Sequence, residues 1–271
     1  MVEMTFWDHL EELRRVIFRC LGVLIAVMIA FFIWMPDIFD SVIMAPCFGT
    51  FLSYEWFCSV GQIFSIPNAF CDKAFEINII NIQLTSQFMI HIRTALLMAV
   101  IVVFPYILYE IWLFVRPALY DNEKKGMRFS FASGSLLFYA GIAVSYFFVF
   151  PLTLRFLAGY QISSHVVNQL SLDSYINTFF SLNLIMGLVF EMPMLALILS
   201  KLGLINKSFF RKYRRHAIVF LFILAAVITP TGDPFTLTIV ALPLYLLYEL
   251  SGLIVRDEKE ESEEIDAPHQ S

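Results

Sequence analysis

The run FFSLNLIMGLVFEMPMLALIL, residues 179–199, carries one ionisable side chain, Glu191, and a proline two residues after it. A stretch this long and this apolar reads as a membrane span. An acid at the bilayer centre costs roughly 2.5–3.5 kcal/mol on insertion scales, so it marks a functional position by default. Pro193 removes a backbone donor and kinks or breaks a helix. The expectation is a bent transmembrane helix with a functional acid beside the bend.

The rest of the chain reads the same way. Of its 271 residues 59% are hydrophobic, and the mean hydropathy is +0.75. A soluble domain is roughly 45–50% apolar. Six spans are expected, at about 16–35, 87–113, 127–150, 174–202, 214–229 and 235–255. The predicted fold class is therefore all-α: a polytopic membrane protein whose fourth helix is kinked and whose last two helices are short. A polar helical lead-in precedes the first span, with Leu10, Leu13 and Ile17 on one face and Glu11 and Arg15 as an i,i+4 pair. Pro36-Asp37 is expected to end the first span and Pro151 the third. Residues 36–86 and 152–173 read as loops. The fifth apolar run is shorter than the bilayer core. A buried hairpin and two short spans that thin the bilayer both fit it, and two short spans are preferred because the sixth run is long enough to cross alone.

Orientation follows from the basic residues. With six spans, 15 of the 18 Lys and Arg fall on the side of the N-terminus, the 116–128 and 201–215 loops and the C-terminus. The excess of Lys and Arg on cytoplasmic loops then places both termini in the cytoplasm. The formal charge of −5 is concentrated at the end, where residues 257–271 hold seven acids and one Lys. This reads as an acidic, disordered cytoplasmic tail after a single membrane domain, residues 1–256. Cys47, Cys58 and Cys71 fall in the external loop, where a disulfide is permitted. Three pairings are open, with Cys58–Cys71 taken as the candidate.

The motifs of common catalytic chemistry are missing. The sequence has no His-Glu-x-x-His, no Gly-x-Ser-x-Gly, no Walker A loop and no dinucleotide fingerprint. No catalytic residue, metal site, cofactor or nucleic-acid partner is expected, and the reading is not an enzyme. From the residues alone, Glu191 also supports a proton- or ion-coupled small-molecule transporter. No internal repeat is visible, which counts against that alternative.

Several motifs recur together: His9-Leu10-Glu11-Glu12-Leu13-Arg14-Arg15; Ala45-Pro46; Trp112-Leu113-Phe114 before Arg116-Pro117-Ala118-Leu119-Tyr120 and Glu123-Lys124-Lys125; Leu136-Leu137-Phe138-Tyr139; Phe148-Val149-Phe150-Pro151; Phe190-Glu191-Met192-Pro193; Thr229-Pro230 with Asp233; and Pro243. In order and spacing they resemble the TatC family, the receptor subunit of the Sec-independent, twin-arginine protein translocase. The resemblance implies a multi-pass protein of the bacterial cytoplasmic membrane, present in several copies per complex. It implies TatA- and TatB-type single-span subunits as partners within the lipid bilayer. It also implies transport of folded cargo driven by the proton-motive force.

By the same resemblance, Glu12, Glu123, Phe114 and Arg14 bind the twin-arginine signal peptide. Pro46, Asp233 and the short fifth span near Val227 and Ile228 serve translocation or partner contact, and Glu191, from its place in the apolar run, is a candidate for the same. This chain reads Thr229-Pro230-Thr231-Gly232-Asp233, one residue longer than the family's Thr-Pro-x-Asp. The chemistry is apt, because a carboxylate accepts paired N–H bonds from a planar guanidinium and Lys lacks that fork. Plainer roles compete. Glu12 can pair with Arg15 or Arg19, and Glu123 can favour a helix N-terminus. His91 and Arg93 either snorkel outward or face a polar cavity with Glu191. Glu191 itself either holds a hydrated concavity or meets a polar residue on a partner's helix.

Overall fold

Several prolines fall where this chain departs from simple helix, such as Pro46, Pro151 and Pro193, while Pro105 and Pro243 lie inside helices. The computed structural model describes residues 6–63, 71, 74–118, 121–163, 165, 168–201, 203–229 and 232–255, so the expected acidic tail lies outside the described residues. Helix α1 runs from Phe6 to Ile38 with Pro36 inside it. The expected stop at Pro36-Asp37 is therefore corrected, and the reason is chemical. Pro36 has no N–H, so the Phe32 carbonyl four residues back loses its helical donor. His91 replaces that donor: its Nε2 lies 2.9 Å from Phe32 O, and its ring stacks on Phe32 at 4.1 Å. Beyond α1 come a π turn, Phe39–Ile43, and a 3-10 turn, Ala45–Cys47.

The carbonyls at this exit are taken by tyrosines. Tyr146 donates to Val42 O at 2.8 Å, Tyr54 to Pro46 O at 2.8 Å, and Tyr175 to Ile43 O. The segment 36–86 is more than a loop, since it contains α2, Leu52–Ile63. Cys58 and Cys71 are joined by a disulfide. Arg155 is buried over the rings of Tyr54 and Phe75, 4.7 and 4.5 Å from their centroids. Burial pushes the Tyr54 phenol up, against the opposing charge of Arg155, so it remains a donor across the stable pH range.

Helix α3 spans Ser86–Val115 and α4 Asp121–Val144. A π turn, Ser145–Val149, joins α4 to α5, Phe150–Gly159. Pro151 was expected to stop this rod and does not. It follows directly on the π turn, whose i→i−5 bonds, such as Phe150 N to Ser145 O, have already shifted the hydrogen-bond register where the ring arrives. The loop accordingly begins after Gly159. Two two-residue strands, β1 Ile79–Ile80 and β2 Leu170–Ser171, pair in parallel, a small departure from all-α.

The fourth span is broken. Helix α6, Leu172–Val189, and α7, Met192–Lys201, flank a turn at Phe190 and Glu191. Pro193 is the second residue of α7, so the bend falls just before it, as a proline in a first turn requires. Helices α8, Lys207–Ile228, and α9, Pro234–Ile254, follow, and α9 packs against both α7 and α8. The Asn206 side chain caps α8, and Asp233 caps α9 by accepting from Thr236 N at 2.8 Å. Gly232, in the turn before α9, has φ +59°, a left-handed conformation suited to glycine. Arg214 Nε meets Glu249 at 2.7 Å, and Tyr248 donates to Phe210 O at 2.8 Å.

The chain divides into two compact units, Met1–Phe114 with Ile142–Leu184 and Val115–Gly141 with Ile185–Ser271. Among the described residues, five helical segments are long and apolar enough to cross a membrane: His9–Cys47, Ser86–Val115, Ser130–Gly159, Leu172–Ser200 and Pro234–Ile254. Helix α8 has 22 residues, longer than the expected 214–229, because its basic first half is helical too.

Four substitutions at three positions test these contacts. His91→Phe keeps a ring on Phe32 but orphans its carbonyl, so it lowers unfolding stability by about 1–2 kcal/mol, while His91→Gln retains most of it; thermal unfolding in detergent reads both. A Cβ on Gly141 would lie 2.7 Å from Met186 O and 2.7 Å from Phe190 Cγ. Gly141→Ala therefore costs about 1–3 kcal/mol. Gly22→Ala, where nothing lies within 4 Å, leaves the melting temperature unchanged or raised.

Candidate functional site

Spacing on α1 sets out the site. His9, Glu12, Val16 and Arg19 recur every three or four residues, so they share one face of the helix. On α3, Tyr106, Glu110 and Phe114 recur every fourth residue. The two faces meet rung by rung. His9 stacks on Phe114, ring centroids 4.3 Å apart, and Val16 is buried below it. Arg19 Nη1 then reaches the Glu110 carboxylate, 3.1 Å from Oε2 and 3.4 Å from Oε1. The other terminal nitrogen of Arg19, Nη2, lies 3.3 Å from Glu12 Oε1. Tyr106 donates to Glu110 Oε1 at 2.7 Å.

Exposure separates the acids. Glu110 is 3% exposed, and a buried carboxylate persists only when paired and hydrogen-bonded. Here Arg19 and Tyr106 supply both. The Glu12 side chain is 39% exposed and within reach of solvent. Arg15 Nη2 meets Glu11 at 2.7 Å, and its Nη1 lies 3.7 Å from Glu12. Three carboxylates, Glu11, Glu12 and Glu110, thus face two guanidinium groups, Arg15 and Arg19. The ladder has an acidic excess and an exposed rung at Glu12.

Both plainer pairings of Glu12, with Arg15 and with Arg19, are therefore present. Arg14 is exposed on the same helix. Glu123 lies in the first turn of α4; its side chain is outside the described residues. Sequence reasoning passed over Glu110, although it is the one acid among residues 101–115. The criterion that singled out Glu191 would have found it.

The remaining positions lie elsewhere in the chain. Glu191 is 6% exposed, and neither of its carboxylate oxygens has a hydrogen-bond partner among the described residues. Pro46 is buried in its 3-10 turn, with its carbonyl held by Tyr54. Asp233 is occupied as the α9 cap. On α8, Val227 is 77% exposed while its neighbour Ile228 is buried. His91 serves the Phe32 carbonyl, and Arg93 donates to Asn177 Oδ1 at 2.9 Å. Among the described residues, no group of three His, Cys, Asp or Glu could hold a metal ion.

Comparison with known proteins places this geometry. The family model for TatC, Sec-independent protein translocase protein, matches residues 8–243. A Sec-independent protein translocase protein TatC from Blattabacterium sp. subsp. Periplaneta americana is 37% identical over 253 residues, 92% of this chain and 94% of that protein. The protein of the same name from Deinococcus radiodurans is 32% identical over 262 residues, 94% of this chain and 87% of its own. A crystal structure of the twin arginine translocase receptor TatC superposes with a TM-score of 0.70 at 30% identity, covering 91% of this chain and 97% of that one. A second crystal structure of that receptor, in DDM, gives 0.72 at 29%, covering 92% and 99%. The chain belongs to the TatC family of Sec-independent protein translocase proteins.

Proposed function

We propose that this protein is the signal-binding core subunit of a twin-arginine translocase, non-enzymatic and free of cofactors. The observation that carries the reading is the half-exposed Glu12 carboxylate, one helical turn from the His9–Phe114 stack. It belongs to a chain that matches a twin arginine translocase receptor over 91% of its length. Glu12 and Glu123 each take a guanidinium of the signal, and Phe114 and Arg14 take part in binding it. Both acids lie on the cytoplasmic side of a six-span protein of the bacterial inner membrane. In that topology α8 supplies a short fifth span, and residues 1–256 form one membrane domain. The residues 257–271 are a cytoplasmic acidic tail.

Folded cargo then crosses on the proton-motive force with TatA- and TatB-type single-span subunits, several copies of each acting together. Glu191 is the contact for such a subunit. A buried carboxylate without a hydrogen-bond partner among the described residues is best completed by a polar group on another helix. Val227 and Ile228, Pro46 and Asp233 belong to the same translocation and docking surfaces. The ion-coupled small-molecule transporter, suggested by Glu191 alone, has no support in the proteins this chain resembles.

Binding tests the first part. Photocrosslinking from positions 12, 114 and 123 to a signal peptide with two arginines should give adducts. Glu12→Ala and Glu123→Ala should each weaken binding about 10- to 100-fold, the value of one charge-assisted hydrogen bond. A twin-lysine peptide should bind poorly to every form. Unchanged crosslinking in both alanine variants would refute the assignment.

Transport tests the second part. Glu191→Gln, which keeps hydrogen-bonding capacity, should retain most transport of folded cargo, whereas Glu191→Leu should lose it. Loss in the glutamine form as well would assign the role to ionisation instead.

A further inference from the structure

We infer that Arg19 is a built-in placeholder for a signal arginine, and that Glu110 is the buried anchor which lets it act as one. The inference rests on Glu12 being a signal-binding acid. Glu12 is engaged within the chain by a guanidinium, that of Arg19 at 3.3 Å. The same guanidinium is held on its other side by Glu110 at 3.1 and 3.4 Å, and Tyr106 fixes that carboxylate at 2.7 Å. Arg19 thus bridges a buried acid and an exposed one.

The two contacts differ in their surroundings. Glu110 is shielded from water and both of its oxygens share Arg19 Nη1, whereas Glu12 is 39% exposed and meets Nη2 through one oxygen. An arriving guanidinium therefore takes Glu12, and Arg19 stays on Glu110. No carboxylate and no cation is left unpaired before or after the exchange, which avoids the penalty of an orphaned buried charge.

The exchange also sharpens selection. A ligand must outcompete a guanidinium already in position. A lysine, lacking the planar fork, competes poorly. The resident arginine is thus a repulsive element against the wrong cation as well as a guard for the right one. Glu110 and Arg19 are positioning residues, not contacts of the signal.

The experiment measures equilibrium binding of fluorescein-labelled synthetic peptides, Arg-Arg and Lys-Lys, to the full-length protein in lipid nanodiscs. Arg19→Gln combined with Glu110→Gln removes the placeholder without stranding a buried charge. It should bind the Arg-Arg peptide about two- to five-fold more tightly, the worth of a partly exposed ion pair. Arg19→Lys, which contacts one acid at a time, should shift binding in the same direction. Glu110→Gln alone frees Arg19 to hold Glu12 harder and should weaken binding by a similar factor. A purely structural role moves all three variants toward weaker binding or none. Unchanged or weaker binding in the two variants that alter Arg19 overturns the placeholder. A native protein that binds the two peptides equally overturns the reading of Glu12 beneath it.

Discussion

A carbonyl or N–H left unpaired in hydrocarbon costs several kcal/mol, and this fold is organised around that penalty. The first span shows it most clearly. Pro36 deprives Phe32 O of its donor, and His91 supplies another from α3. The chain then leaves the helix through π and 3-10 turns, where carbonyls lose their usual partners. Three tyrosines, 54, 146 and 175, arrive from three separate segments to take Val42 O, Ile43 O and Pro46 O. Each hydroxyl repairs one carbonyl and brings a ring with it. The rings of Phe51, Tyr146 and Phe147 pack there, as do those of Phe150, Tyr175 and Phe179. Helix irregularity and aromatic packing on this side of the unit therefore have one cause.

That dependence sets what the sequence could disclose. The break in the fourth span was legible because its cause is local: Pro193 fixes where α7 begins, and the apolar run shows that the segment is buried. The lead-in helix was legible from the spacing of Leu10, Leu13 and Ile17. Pro36 and Pro151 were misread because their outcome is decided elsewhere. A proline ends a helix only if the abandoned carbonyl finds no other donor, and His91 lies 59 positions from Phe32. Pro151 follows a π turn, which shifts the hydrogen-bond register before the ring arrives. Helix α2 was hidden by the prolines and glycines on either side of it. Of the site, the exposed acid at position 12 could be found by motif. The buried partner could not be inferred from the α1 motif, since Arg19 and Glu110 are 91 positions apart.

The ladder between α1 and α3 shows how an acidic cluster can still be stable. Three carboxylates close together repel one another. Arg15 and Arg19 offset that repulsion from within the same helix as two of them. Tyr106 accommodates the third, and the His9–Phe114 stack closes the outer end. The arrangement leaves one acid, Glu12, with an exposed and comparatively weak contact. Such pairs near water are worth about 0–1 kcal/mol, small enough for a ligand to exchange.

The two buried glutamates complete the argument by contrast. Glu110 and Glu191 are equally conspicuous in sequence, each a lone acid in a long apolar run. Their surroundings differ entirely. Glu110 has a guanidinium and a phenol against it and is satisfied within the chain. Glu191 sits at a helix break with two oxygens unpartnered among the described residues. A satisfied buried charge positions what it holds. An unsatisfied one retains the capacity to bind, and the free energy of leaving it alone becomes available to whichever polar group meets it. The same residue type, in an equally apolar run, thus has two different environments: one glutamate is held by an arginine and a tyrosine, and the other has no hydrogen-bond partner among the described residues.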